Sequence, residues 1–206
     1  MAKKTLKTAD KNQLRNFTII ICVLIIVFFG TIYVGKHINK KEVDKSKYNG
    51  FDFYFEKNQG LWLTRIEIGN TPYDIPFYNH PRDLEDIIVE TNVENIILKE
   101  KPQKIIISIP ANSGSEMAIA GIEISKITGE RYQVLNIPTK SAFSEFVEGM
   151  PFATCSDANE KTVVISFKKS NKNLISSEGR CILLEFKEGD AIRVADTLAY
   201  KLLKIM

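Results

Sequence analysis

The sequence predicts an α/β (or α+β) fold, a single mixed-sheet domain with about three helices that follows an N-terminal transmembrane helix. Three observations predict it. An uncharged apolar run covers 17–34. Short runs of β-branched residues then alternate with segments of helical periodicity, and the clearest of them form a strand–helix–strand unit. The chain is therefore divided into a basic tail (1–16), a transmembrane anchor (17–35), a charged stalk (36–47) and an α/β domain (48–206).

The net charge of +3 hides an uneven distribution of charge along the chain. Residues 1–47 carry ten Lys or Arg against three Asp or Glu, a net charge of +7. Residues 48–206 carry 18 basic and 22 acidic residues, a net charge of −4. The positive charge thus lies beside the predicted anchor, where anionic headgroups attract it. A nucleic-acid-binding domain would carry a basic face, so we expect no nucleic acid as a partner.

The predicted anchor is long enough to cross a bilayer. Its 18 residues rise roughly 27 Å as a helix, close to the ~30 Å of the hydrocarbon core. A cleaved signal peptide is one alternative, but its apolar region is shorter and ends in small residues, whereas Gly35-Lys36-His37-Ile38 follows here. A buried helix of a soluble fold is another. Basic residues flank both ends and give no orientation. The short basic tail is typical of a signal-anchor, which predicts a domain outside the cytoplasm.

The first part of the domain predicts two paired strands and the start of a helix. Residues 60–69 are rich in β-formers and alternate partly with period two, and 73–77 is the returning strand after a Gly-Asn turn. Pro81 fits the first position of a helix that starts within 79–86, because its missing N–H needs no partner there. The apolar run 96–98 predicts a further strand.

A βαβ unit follows in the sequence. Residues 104–109 predict a buried strand, 116–128 a helix with a wide apolar face, and 132–137 a second strand. Gly129 is a natural stop for the helix. Two parallel strands joined through a helix have a right-handed crossover, so we expect this helix to pack on the sheet.

The last part of the chain predicts two strands and a closing helix. The strands are expected at 162–167 and 181–186, joined by a polar loop. Gly189-Asp190 opens the helix, whose apolar residues recur at helical spacing: Ile192, Ala195, Leu198, Ala199, Leu202 and Leu203. Because the final residues, Ile205-Met206, are also apolar, we expect this helix to dock on the domain.

Asn112, Ser113, Gly114 and Ser115 form the candidate ligand-binding site. They lie between a predicted buried strand and a helix N-terminus, where α/β proteins bind anions through free backbone N–H groups and the helix dipole. The segment lacks the lysine and the glycine spacing of a P-loop, and G-x-S-x-G does not occur. The alternative is a capping box, in which Ser113 and Glu116 satisfy each other's backbone N–H groups.

Cys155 and Cys181 are the candidates for a disulfide, with two buried free thiols or a reactive thiol as the alternatives. The bond would stabilise the fold by roughly 3 kcal/mol. Two thiols without supporting histidines do not form a zinc site, so we expect no metal, no cofactor and no catalytic set. His80 is expected to cap a helix. Asp157 and Asp190 are expected as turn and cap residues rather than as paired acids.

Several motifs follow the basic tail and the apolar run. They are Tyr48-Asn49-Gly50-Phe51, Asn79-His80-Pro81-Arg82-Asp83-Leu84, the strand–helix unit from Ile107 to Gly129, Cys155-Ser156-Asp157-Ala158, Cys181, and the closing Ala195-Asp196-Thr197-Leu198-Ala199-Tyr200 with Leu202 and Leu203. In this order they resemble the motifs of uncharacterised single-pass membrane-anchored proteins of archaea. The resemblance spans most of the chain. Its motifs are structural, so it implies an anchored domain and no activity that could be transferred.

Two functions are expected from these observations. The first is a membrane-tethered envelope protein whose domain acts as a binding or scaffolding module for an envelope protein partner, without enzymatic activity. It depends on the anchor, the stalk, the expected disulfide and the missing catalytic signatures. The alternative is a small anionic-ligand-binding protein or enzyme that uses the 111–115 loop, which predicts a pocket at the carboxyl edge of the sheet. A subunit of a membrane complex, with the apolar helix as its interface, is a third possibility.

Overall fold

The computed structural model describes residues 15–31, 44–91 and 93–206. The chain divides into two units, and the division falls between Glu42 and Val43. Most of the predicted basic tail, the end of the predicted anchor and most of the predicted stalk lie outside the described residues, at 1–14 and 32–43.

The described part of the first unit is one helix, α1, over residues 15–31. Its apolar side chains are exposed along the whole length; the exposed fraction is 63% for Phe17 and 70% for Ile26. Among the residues that the structure describes, no helix combines the length and the apolarity needed to cross a membrane.

The second unit has the mixed α/β fold that the sequence predicts, but it contains two sheets rather than one. The first sheet is an antiparallel meander with its strands in chain order: β1 (Asp44–Tyr48), β2 (Phe51–Glu56), β3 (Leu61–Ile68) and β4 (Thr71–Phe77). The turns at Asn49-Gly50 and Gly69-Asn70 have positive φ at both central residues, the geometry that joins twisted antiparallel strands in two residues. The strands predicted at 60–69 and 73–77 are confirmed. β1 covers the last residues of the predicted stalk.

The second sheet is mixed and has six strands in the order β5-β9-β10-β8-β6-β7. Its strands are β5 (Ile88–Val89), β6 (Lys104–Ile109), β7 (Thr139–Phe143), β8 (Thr162–Lys169), β9 (Leu174–Glu178) and β10 (Cys181–Phe186). Neighbouring strands are parallel except for β9 and β10, which are antiparallel. β6, β8 and β10 lie in the centre of the sheet, which explains their nearly continuous apolar sequences. β5 and β7 form its two edges.

Two helices, α3 (Ser115–Thr128) and α4 (Ala191–Leu202), pack against each other between the two sheets. On one side they cover the core-facing side chains of the second sheet, such as Ile105 and Ile107 of β6. On the other side the ring of Tyr200 lies 4.2 Å from that of Phe77 and 5.9 Å from that of Phe53 in the meander. The unit is therefore a three-layer arrangement of sheet, helices and sheet. Because a sheet covers each side of this helix layer, α3 needs the wide apolar face that was predicted, and α4 is docked as predicted.

The segment 144–161, which connects β7 to β8, crosses the other face of the second sheet. The predicted disulfide is confirmed: Cys155 in this segment is bonded to Cys181 of β10, with their Cα atoms 5.2 Å apart. Side chains alternate between the two faces of β6, so Ser108 points away from the helices and toward this segment. Its hydroxyl donates to the carbonyl oxygen of Ala153 at 2.6 Å in a buried position.

Several predicted elements are wrong. Residues 96–98 belong to a short helix, α2 (Asn95–Leu98), because three apolar residues alone do not distinguish a buried strand from a buried helix turn. The strand predicted at 132–137 is irregular, since Gln133 and Asn136 have positive φ, and β7 begins only afterwards. The polar loop predicted after 167 contains β9. The helix start at Pro81 is a single 3₁₀ turn, Pro81–Leu84.

Candidate functional site

A cleft of about 620 Å³ lies at the carboxyl ends of β6, β8 and β10. Its walls come from the loop after β6 and the first turn of α3, from the segment after β7, from the end of β8 and from the turn before α4. This edge is where the sequence predicts a pocket, because the loops that follow parallel strands converge there. Three of the four predicted ligand-binding residues, Asn112, Ser113 and Gly114, line the cleft, and Ser115 is the first residue of α3.

The capping box predicted for α3 is wrong. Gly114 is the N-cap of this helix, and no side chain of the described residues caps it. The hydroxyl of Ser113 donates to the carbonyl oxygen of Pro110 at 2.5 Å. Glu116 Oε1 accepts the backbone N–H of Ala191 at 2.9 Å, so Glu116 stabilises the start of α4 instead of its own helix. This tertiary contact has no signature in the local spacing from which the capping box was predicted.

Negative charge predominates around the cleft. Glu116, Glu145 and Glu188 contribute carboxylates, and Lys169 is the one ammonium group among the described lining residues. Lys169 Nζ lies 2.8 Å from Glu188 Oε2, and this contact lowers the pKa of Glu188. Glu145 Oε2 accepts the backbone N–H of Ala111 at 2.6 Å and so occupies one of the donors that an anion would use. An anionic ligand stays a prediction, and this arrangement of charge does not favour it.

An apolar ridge, formed by Phe146, Met150 and Phe152, lies in the segment that borders the cleft. The exposed fractions of these residues are 79%, 52% and 49%, and Phe146 itself lines the cleft. Exposed large apolar side chains mark interaction sites when they form a contiguous patch, and these three lie within seven consecutive residues of the chain. The ridge was not predicted from the sequence. The available signal is an apolar, Glu-containing stretch with Gly149 and Pro151 that fits neither a helix nor a strand pattern.

The ridge is carried on a fixed backbone. Phe143 N–H donates to the carbonyl oxygen of Pro151 at 2.8 Å, and Ala153 N–H donates to that of Phe143 at 2.9 Å. These bonds pair Phe152 with the end of β7. Ser108 holds Ala153 on the sheet, and the disulfide follows two residues later. These bonds fix the backbone on both sides of Phe152.

A second group of polar side chains is buried between the helices and the meander. Asp196 Oδ2 accepts the backbone N–H and the side-chain amide of Asn79, both at 2.9 Å, and Lys126 Nζ donates to Glu123 and to the carbonyl oxygen of Pro76. Burial, followed by a hydrogen bond with Glu123, raises the pKa of Asp196 well above its ordinary value. Asp196 Oδ1 is buried and has no hydrogen-bond partner among the described residues. The cluster is enclosed and joins the end of β4 to both helices.

The other polar residues singled out in the sequence have structural roles. His80 Nδ1 accepts a backbone N–H two residues ahead at 3.2 Å, so the predicted cap is confirmed, and burial lowers the pKa of this histidine. Asp157 closes the capping box of the 3₁₀ turn that contains Cys155. Asp190 precedes α4 and accepts the amide of Asn173 at 2.7 Å. In the described part of the chain, no three His, Cys, Asp or Glu side chains are placed to hold a metal ion.

Protein-family models, curated proteins and solved structures show no match to this chain. The resemblance to membrane-anchored proteins of archaea therefore stays a prediction. The function has to be inferred from the cleft, the apolar ridge and the disulfide themselves.

Proposed function

We propose that this chain is a membrane-tethered envelope protein whose second unit is a binding or scaffolding module, with the apolar ridge and the cleft as its binding surface. The observation that carries the proposal is the exposure of Phe146, Met150 and Phe152 beside a concave surface. Aromatic and methionine side chains are enriched at the centres of protein interfaces. Covering one phenylalanine side chain fully would stabilise a complex by roughly 2–3 kcal/mol.

Binding is favoured over catalysis by the chemistry of the cleft. Among the described lining residues there is no His or Cys. The hydroxyl of Ser113 donates to the backbone carbonyl of Pro110 rather than to a basic side chain, so it is not paired with a general base. The carboxylates of Glu116 and Glu145 accept backbone N–H groups of the fold. These three polar side chains of the cleft are thus engaged in holding its walls.

Tethering to a membrane is supported by the sequence, although no described helix is by itself long and apolar enough to cross a membrane. The run 17–34 has no charged residue, and the apolar side chains of α1 are uncovered. A helix with such a surface needs a hydrocarbon layer or another apolar helix around it. The basic residues on both sides of the run suit anionic headgroups. A position of the second unit outside the cytoplasm is supported by the disulfide, since such bonds persist in oxidising compartments.

The proposal is tested by photo-crosslinking in membranes of the source organism. The full chain would carry a photoreactive phenylalanine analogue at position 146 or, as a matched control, at position 88. Ile88 is also apolar and 66% exposed, but it lies on β5, at the opposite edge of the sheet from β7. We expect a discrete protein adduct from position 146 that is missing from position 88. If both positions give the same adducts, or position 146 gives none, the ridge is not a binding surface.

A further inference from the structure

We infer that the partner presents a basic segment that contains a large apolar side chain. The apolar side chain packs against Phe146, and the basic residues lie against the carboxylates around Phe146. This inference rests on the proposed function, because it names the kind of partner that the same surface would bind. It follows from the charge that accompanies the apolar ridge.

The charged residues between and beside the ridge side chains are all acidic. The segment 144–152 contains Glu145 and Glu148, both exposed, and no Lys or Arg. In the described part of the chain, neither glutamate lies within 4.0 Å of a cationic side chain. Lys169, across the cleft, is paired with Glu188. A cationic partner would therefore meet carboxylates that have no opposite charge of their own.

The cleft beside Phe146 has apolar as well as acidic walls, so it can receive an apolar side chain. Met117, Val147 and Phe186 contribute apolar walls, and Glu116 and Glu145 lie among them. An apolar anchor beside charges that are mostly of one sign is the arrangement by which an interface combines affinity with selection of a complementary partner.

The same charges disfavour the two other occupants of an exposed apolar ridge. A membrane surface carries anionic headgroups, which Glu145 and Glu148 would repel. A second copy of this chain would meet the ridge through a twofold axis, which brings two copies of this acidic segment into one interface. Complementarity of charge therefore selects a basic partner.

The inference is tested with synthetic peptides and the full chain in nanodiscs of zwitterionic lipid. Three fluorescent peptides of equal length would share one tryptophan and differ only in whether three flanking residues are Lys, Gln or Glu. Binding to the natural chain is compared with binding to Phe146→Ser, to Glu145→Gln with Glu148→Gln, and to the control Ile88→Ser. Empty nanodiscs measure binding to the lipid alone, and sedimentation of loaded nanodiscs reports pairing of two copies.

We expect the lysine peptide to bind at least about tenfold more tightly than the glutamate peptide, with the glutamine peptide between them. Phe146→Ser should weaken its binding by about tenfold or more, the double glutamine variant by roughly threefold to tenfold, and Ile88→Ser not at all. Equal binding of the three peptides, lost in Phe146→Ser, would overturn the basic partner while leaving the binding surface in place. Binding that ignores Phe146→Ser, absence of binding, or pairing of copies that Phe146→Ser abolishes would overturn the inference. The photo-crosslink at position 146 decides separately whether the surface binds a protein.

Discussion

Removing the disulfide tests how far the second unit depends on the anchoring of the segment 144–161. Cys155 and Cys181 are separated by 26 positions. In the chain-entropy model, a crosslink that closes about that many residues stabilises the folded state by about 3.5 kcal/mol. A domain of this size melts roughly 2–4 °C lower for each kcal/mol that it loses. The pair of substitutions Cys155→Ser and Cys181→Ala should therefore lower the Tm by roughly 7–14 °C.

The assay is thermal unfolding of the full chain in mild detergent, followed by the fluorescence of Trp62, the one tryptophan of the sequence. The natural chain with reductant should melt close to the double variant without it. Cys22→Ser is the control, because Cys22 is a free and exposed thiol and its replacement should leave the Tm unchanged. A double variant that melts within about 2 °C of the natural chain would show that the other contacts of the segment suffice, and the entropic argument would be refuted.

Two further predictions concern buried polar groups. Folding raises the pKa of Asp196, so above about pH 4 the folded state binds more protons than the unfolded state. The free energy of unfolding should therefore fall as the pH rises from there toward the pKa of Asp196 in the folded state. Asp196→Asn keeps an acceptor for Asn79 and removes the carboxyl that titrates, so denaturant titrations from about pH 4 to 8 should show a weaker fall, whereas an unchanged slope would contradict the assignment. Ser108→Ala leaves the carbonyl of Ala153 without its hydroxyl partner and should cost roughly 1–3 kcal/mol. Ser166→Ala, at the paired position of β8, should cost clearly less in the same titration, and equal losses would contradict a specific role of the Ser108 bond.

Elements with a long, regular pattern were predicted correctly from the sequence. β6 and β10 each contain three or four consecutive apolar residues, and α3 and α4 repeat their apolar residues at helical spacing over three turns or more. The division into two sheets was not predictable, because it depends on which strands pair. The strand runs of the meander and of the mixed sheet look alike in composition. Only the tertiary structure shows that the meander covers the helices from the other side.

The position of the cleft was predicted, but its chemistry was not. The loop after β6 had to meet the other loops at the carboxyl edge, because that edge is set by the direction of the parallel strands. The roles of Glu116 and Glu145 depend on contacts with α4 and with the 111–115 loop, and these contacts join distant parts of the chain. The disulfide was predictable for a different reason: of the three cysteines in the sequence, only Cys155 and Cys181 lie in the predicted domain, which leaves one pair there. The ridge lacks any periodic pattern, so only its exposure reveals it.

Ser108 and the disulfide hold the segment 144–161 on the sheet through buried contacts, whereas the apolar ridge of the same segment is exposed. Stability and binding should therefore depend on different residues. Ser108 and the disulfide act through buried contacts, so their loss should lower stability and loosen the ridge together. Phe146 is 79% exposed and gives the fold little buried area, so its replacement by Ser should leave the Tm nearly unchanged. A large exposed apolar side chain also favours aggregation, which is a cost to the free protein. A residue that adds little to the fold and carries this cost is what the proposed complex would explain, because binding would cover it.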